Sequence, residues 1–60
     1  MADLGDLRQR LANISEELGD AIIDVLREAI EAGEAKPPAE KKLLAARRAV
    51  DKALRSVEDL

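Results

Sequence analysis

The stretch LGDAIIDVLREAI, residues 18–30, carries two apolar stripes at helical spacing. The first stripe consists of Leu18, Ile22, Val25 and Ala29. The second stripe consists of Ile23, Leu26 and Ile30. Together they cover more than half of a helix surface, whereas one neighbouring helix covers only one stripe. The second stripe therefore predicts a partner from outside the chain.

One segment, GEAKPP at residues 33–38, interrupts the helical pattern. Gly33 suits the left-handed position that ends a helix, and Pro38 suits the first turn of the next helix. Pro37 disfavours a helical conformation at Lys36. The sequence thus predicts a helix–loop–helix hairpin, in which Asp3 is the N-cap of helix 1. The predicted segments are helix 1 at about 3–32, the loop at about 33–37 and helix 2 at about 38–59.

Apolar residues also follow a heptad pattern along both predicted helices. In helix 1 the pattern is carried by Leu4, Leu7, Leu11, Ile14 and Leu18. In helix 2 it is carried by Leu43, Ala46, Val50, Ala53, Val57 and Leu60, with Leu44 and Leu54 beside it. A chain of 60 residues without Cys buries little surface alone, so oligomerisation is the expected source of stability. We therefore predict a single all-α domain that pairs into a dimeric, coiled-coil-like four-helix bundle, as Rop-like hairpins do.

The two predicted helices differ in length and in charge. At 1.5 Å per residue they extend roughly 45 Å and 33 Å, so helix 2 is expected to reach back only to about Leu11. Leu4 and Leu7 then lack a partner in their own chain and are expected to meet a second chain. Residues 2–34 carry a net charge of −6 and residues 38–60 carry +2, which favours packing the unlike helices side by side.

Composition argues against catalysis. The chain has no His and no Cys, which removes the usual general base, metal ligand and thiolate. Ser15 and Ser56 are its only hydroxyl side chains, and neither has a His to activate it. Asp20, Asp24 and Glu28 lie four residues apart and are interpreted as a solvated face rather than a cation site. We therefore predict no enzyme activity, no catalytic residues, no cofactor and no metal.

Two classes of partner are disfavoured. No run of about 18 apolar residues exists, and the acidic start MADLGD is unlike a signal peptide, so we expect a cytoplasmic protein without a membrane partner. The basic face of helix 2 consists of Lys41, Arg48, Lys52 and Arg55. A net charge of −3 and the absence of aromatic residues favour a solvated face there over a nucleic-acid contact.

Two segments resemble known families. Residues 18–22, LGDAI, resemble the centre of a BH3 helix with Leu11 at its first apolar position, which implies docking in a protein groove; Ser15 stands where that motif has its main leucine. Residues 4–36 resemble the first helix of the all-helical chorismate mutases, which implies that Arg8 and Lys36 contact substrate. Val25 replaces a second arginine of that family and the other helices do not match, so the activity is not carried over.

The predicted function is a non-enzymatic structural or interaction module that mediates homo-oligomerisation, or docking of a partner helix, through its apolar helix faces. The alternative is a small regulatory protein that binds a target groove through helix 1, or nucleic acid through helix 2. Asn13, Ser15 and Gly19 are weak helix formers that favour a natural chain over a designed bundle. The predicted interface residues are Leu4, Leu7, Leu11, Ile14, Leu18, Ile22, Ile23, Val25, Leu26, Ile30, Leu43, Val50, Leu54 and Val57.

Overall fold

The computed structural model describes residues 3–60 and consists of two α-helices that pack against each other as a hairpin. Helix α1 spans Leu4–Ala32 and helix α2 spans Pro38–Glu58. The hairpin is elongated, with principal extents of 49 × 14 × 12 Å. The prediction of an all-α hairpin is confirmed.

Side-chain and backbone caps define both ends of α1. The carboxylate of Asp3 accepts a hydrogen bond from the backbone N–H of Asp6 at 3.0 Å, as expected for an N-cap. At the other end Gly33 adopts φ 76°. The N–H of Gly33 donates to the carbonyl of Ile30 at 3.2 Å, and the N–H of Glu34 donates to the carbonyl of Ala29 at 2.8 Å. These two bonds form a Schellman motif, which turns the chain back along α1.

One hydrogen bond and one close approach show the antiparallel register of the helices. The Ser15 hydroxyl donates a 2.5 Å hydrogen bond to Oδ1 of Asp51, in a partly buried position. The guanidinium of Arg47 lies over Gly19. A hydrogen bond between a hydroxyl and a carboxylate is short and strong, and it resists a slip of one helix along the other.

Helix α2 reaches further along α1 than the sequence predicted. Residues Gly5 and Arg8 of α1 line a common groove with Glu58 of α2, so the predicted limit near Leu11 was wrong. The reason is the Schellman turn, which carries the loop back beside α1 instead of extending beyond it. Leu4 and Leu7 are still 38% and 41% exposed.

The hairpin has a very small core. Among the described residues, the only buried hydrophobic side chains within the helices are Ile22 and Ala29, both from the first stripe. Ser15 is also buried, and so is Pro37 in the loop. Seven large hydrophobic side chains are exposed instead: Leu4, Leu7, Ile14, Ile23, Leu26, Ile30 and Leu60. The hairpin alone therefore buries few of its large apolar side chains completely.

Gly19→Ala is expected to stabilise the fold by about 0.5–1 kcal/mol, because alanine is the better helix former. A methyl group at this position meets Nη1 of Arg47 at 3.2 Å, and the end of that flexible side chain can move aside. Chemical denaturation measures the effect. The matched control is Gly33→Ala, which is expected to cost about 1 kcal/mol because Gly33 has a positive φ. A loss of stability in Gly19→Ala contradicts the prediction and makes the Arg47 contact essential.

Candidate interaction surface

One side of the hairpin carries its polar contacts. A groove there is lined by Gly5, Arg8, Gln9, Ala12, Leu54 and Glu58, and we call this side the groove side. Ser15 and Gly19 follow Arg8 and Ala12 by seven residues, and Asp51 precedes Glu58 by seven. Residues seven apart share a helix face, so the Ser15–Asp51 bond and the Arg47–Gly19 contact lie between the helices, on the half of their contact that borders the groove side.

The opposite side of the hairpin is apolar from Leu7 to Ala21 on α1, where Glu28 ends the pattern, and from Leu43 to Val57 on α2. Ile14 and Val50 stand one position before Ser15 and Asp51, about 100° around each helix. In antiparallel helices both rotations lead to the same side, away from the groove. Residues at heptad spacing continue this surface, which we call the heptad face: Leu7, Ile14, Ala21, Leu43, Ala46, Val50, Ala53 and Val57. None of them is buried, and Ile14 is 43% exposed.

The second stripe forms a separate apolar surface on the groove side. Ile23 and Ile30 follow Gln9 by 14 and 21 residues, and Leu26 follows Ala12 by 14. We call these three residues the isoleucine patch. Ile23 is 53% exposed, Leu26 is 36% exposed and Ile30 is 78% exposed. The heptad face and the isoleucine patch therefore lie on opposite sides of the hairpin.

Of the remaining predicted interface residues, Leu54 lines the groove and is half-buried, while Leu4 is 38% exposed. The others lie between the two helices, where Ile22 is buried and Leu11, Leu18 and Val25 are half-buried. The LGDAI segment has the same placement, because Leu18 and Ile22 belong to the stripe that α2 covers. Docking of this segment in a BH3-type groove therefore requires the hairpin to open.

Sequence reasoning missed two residues that connect the helices, Asp51 and Arg47. The signal was present in their spacing, since Asp51 follows Leu44 by seven residues and Arg47 precedes Leu54 by seven. Asp51 and Arg47 therefore lie on the same face of α2 as Leu44 and Leu54. Within residues 3–60 no ion pair joins the two oppositely charged helices, and the one ion pair there, Arg10 with Asp6, lies within α1.

A second groove lies beside the loop and has a volume of about 450 Å³. Its apolar part comes from Pro37, Pro38 and Leu44, and its charged part from three basic side chains and one acidic side chain. The charged residues are Lys36, Lys41, Arg48 and Glu40.

Acidic side chains show no comparable grouping. Within residues 3–60, no three of them converge to hold a metal ion. Asp20, Asp24 and Glu28 are all exposed.

Neither of the two described helices is long and apolar enough to cross a membrane. No protein-family model, curated protein or solved structure matches this sequence. Function is therefore inferred from the surfaces of the hairpin alone.

Proposed function

We propose that the chain is a non-enzymatic interaction module that pairs with a second copy through the heptad face to form a four-helix bundle. The observation that carries this proposal is the incomplete core. The apolar heptad positions of both helices remain partly exposed, while the hairpin buries only Ile22 and Ala29 well. A second copy is the simplest occupant, because it offers an apolar face of the same length and shape.

The accessible surface of the hairpin is large enough for a second copy to cover part of it. The chain has an accessible surface of 4841 Å² and a mass of 6.5 kDa. A compact monomer of that mass exposes about 3,800 Å². The excess of about 1,000 Å² is close to the roughly 800 Å² that each partner buries in a standard protein interface.

Charge favours one arrangement of the two copies. The outer edge of the heptad face on α1 carries residues seven apart: Arg10, Glu17, Asp24 and Glu31, which are three acids and one base. The corresponding edge of α2 has Lys42, Ala49 and Ser56. Placing α1 beside α1 of the partner brings the acidic edges together, whereas placing α1 beside α2 of the partner avoids this repulsion. We therefore propose a two-fold axis parallel to the helices, with both loops at the same end.

Light scattering across a range of concentrations tests the proposal, and the expected mass is twice the chain mass of 6.5 kDa. The same sample reports the arrangement, because a spin label at Glu34→Cys is unique in a chain without cysteine. Loops at one end place the two labels close together, whereas loops at opposite ends separate them by roughly the 40 Å length of α1. A monomer mass at every concentration rejects dimerisation, and a long label distance rejects only the arrangement.

A further inference from the structure

The isoleucine patch is unusual for a surface that faces water. Ile23, Leu26 and Ile30 lie within two helical turns, about 10 Å, and Ile30 is 78% exposed. Contiguous apolar side chains of this size on a soluble protein commonly mark a binding site. The patch is also independent of the proposed dimer, because a two-fold interface on the heptad face leaves the opposite side of both hairpins uncovered.

Basic groups border the patch on the side of α2. The register places Leu44 at the level of Ile22, so Leu44 links the patch to the groove beside the loop. That groove carries Lys36, Lys41 and Arg48 against a single acid, Glu40. The combined surface is therefore an apolar strip whose edge on α2 is positively charged. On α1, Glu16 precedes Ile23 by seven residues and adds one acid at the end of the strip.

We infer that this surface is a second docking site, which takes an acidic amphipathic helix from a different protein. Apolar side chains at positions i, i+3 and i+7 of such a helix cover the isoleucine patch and Leu44. Its flanking carboxylates face Lys41 and Arg48, where opposite charge favours encounter and selects against basic partners. The chain thus has one surface for itself and one for a partner, so that a dimer presents two partner sites.

The test uses two synthetic helical peptides with leucines at i, i+3 and i+7, one with glutamate and the other with lysine at the flanking positions. Each fluorescein-labelled peptide is titrated with the full chain, and methyl NMR spectra locate the contact. The glutamate peptide is expected to bind at least tenfold more tightly than the lysine peptide and to shift the methyl signals of Ile23, Ile30 and Leu44.

Charge-reversal variants show whether the peptide binds at this site or is attracted by the overall charge of the chain. Lys41→Glu combined with Arg48→Glu is expected to weaken binding of the glutamate peptide at least tenfold. The control Lys52→Glu combined with Arg55→Glu makes the same charge change at two exposed residues outside the groove, and it is expected to alter binding less than twofold. Equal binding of the two peptides, or methyl shifts confined to Leu7 and Ile14, overturns the inference.

The mass of the same samples shows whether further copies of the chain, rather than a different protein, cover the isoleucine patch. If the chain forms a tetramer that Ile30→Asp reduces to a dimer, the patch belongs to a second pair of copies, and the inferred protein partner is wrong. If the unsubstituted chain dimerises but does not bind the glutamate peptide, this site alone is overturned. If it is a monomer that binds the peptide, only the proposed dimer is overturned.

Discussion

Ile14→Asp is expected to convert the dimer into a largely unfolded monomer. Ile14 lies near the middle of the heptad face, and the two-fold axis places one new carboxylate on each copy. Leaving a charge unpaired in an apolar interface costs about 3–5 kcal/mol. The separated hairpin has little to replace this loss, since Ile22 and Ala29 are its only buried hydrophobic helix residues among those described. Light scattering and far-ultraviolet circular dichroism at one concentration measure both effects.

Ile23→Asp is the matched control for this prediction. It makes the same chemical change in the same helix, on a side chain that is 53% exposed against 43% for Ile14. Because Ile23 lies on the groove side, the dimer is expected to persist with a change of no more than about 0.5 kcal/mol. The reverse result, a dimer with Ile14→Asp and a monomer with Ile23→Asp, moves the self-association to the isoleucine patch.

Local signals in the sequence predicted the hairpin well. Gly33, Pro37 and Pro38 each restrict the backbone through their own covalent structure, so their effect does not depend on the rest of the fold. Asp3 is similar, because an N-cap needs only the first turn of its own helix. These are short-range constraints, and a pattern of residue types is enough to locate them.

The register of the helices was not predictable in the same way. The hydrogen bond between Ser15 and Asp51 joins residues 36 positions apart, and neither residue alone indicates the other. The sequence showed Ser15 as a weak helix former and an unactivated hydroxyl, but not as a partner of α2. The reach of α2 also depended on how far the turn after Gly33 leads back along α1, which composition does not reveal.

The sequence identified the two stripes but could not show which surfaces they would join. Ile22 and Ile23 are neighbours in sequence, yet they are separated by about 100° on the helix. Once α2 covers Ile22, Ile23 is left on the groove side, while Ile14 lies on the heptad face. A single predicted interface thus becomes two surfaces, and that division follows from the position of α2 rather than from the stripes themselves.

Thermal stability is expected to depend strongly on concentration. If folding and pairing occur together, a hundredfold dilution removes about 2.7 kcal/mol of apparent stability. For a dimer with about 120 residues in total, this corresponds to a fall in Tm of roughly 10 °C. The physical reason is the excess exposed surface of the single hairpin, which the proposed second copy covers. Melting curves followed by circular dichroism at two concentrations measure the shift.

A single-chain version provides the control for the dilution experiment. With both loops at one end, α2 of one copy ends beside the start of α1 of the other. A short Gly/Ser linker can therefore join residue 60 of the first copy to residue 3 of the second. The linked dimer is expected to melt at the same temperature at every concentration, because its pairing step is intramolecular. If the unlinked chain also shows one constant Tm and melts as a monomer, the hairpin is stable alone, and the heptad face is not an obligate part of the fold.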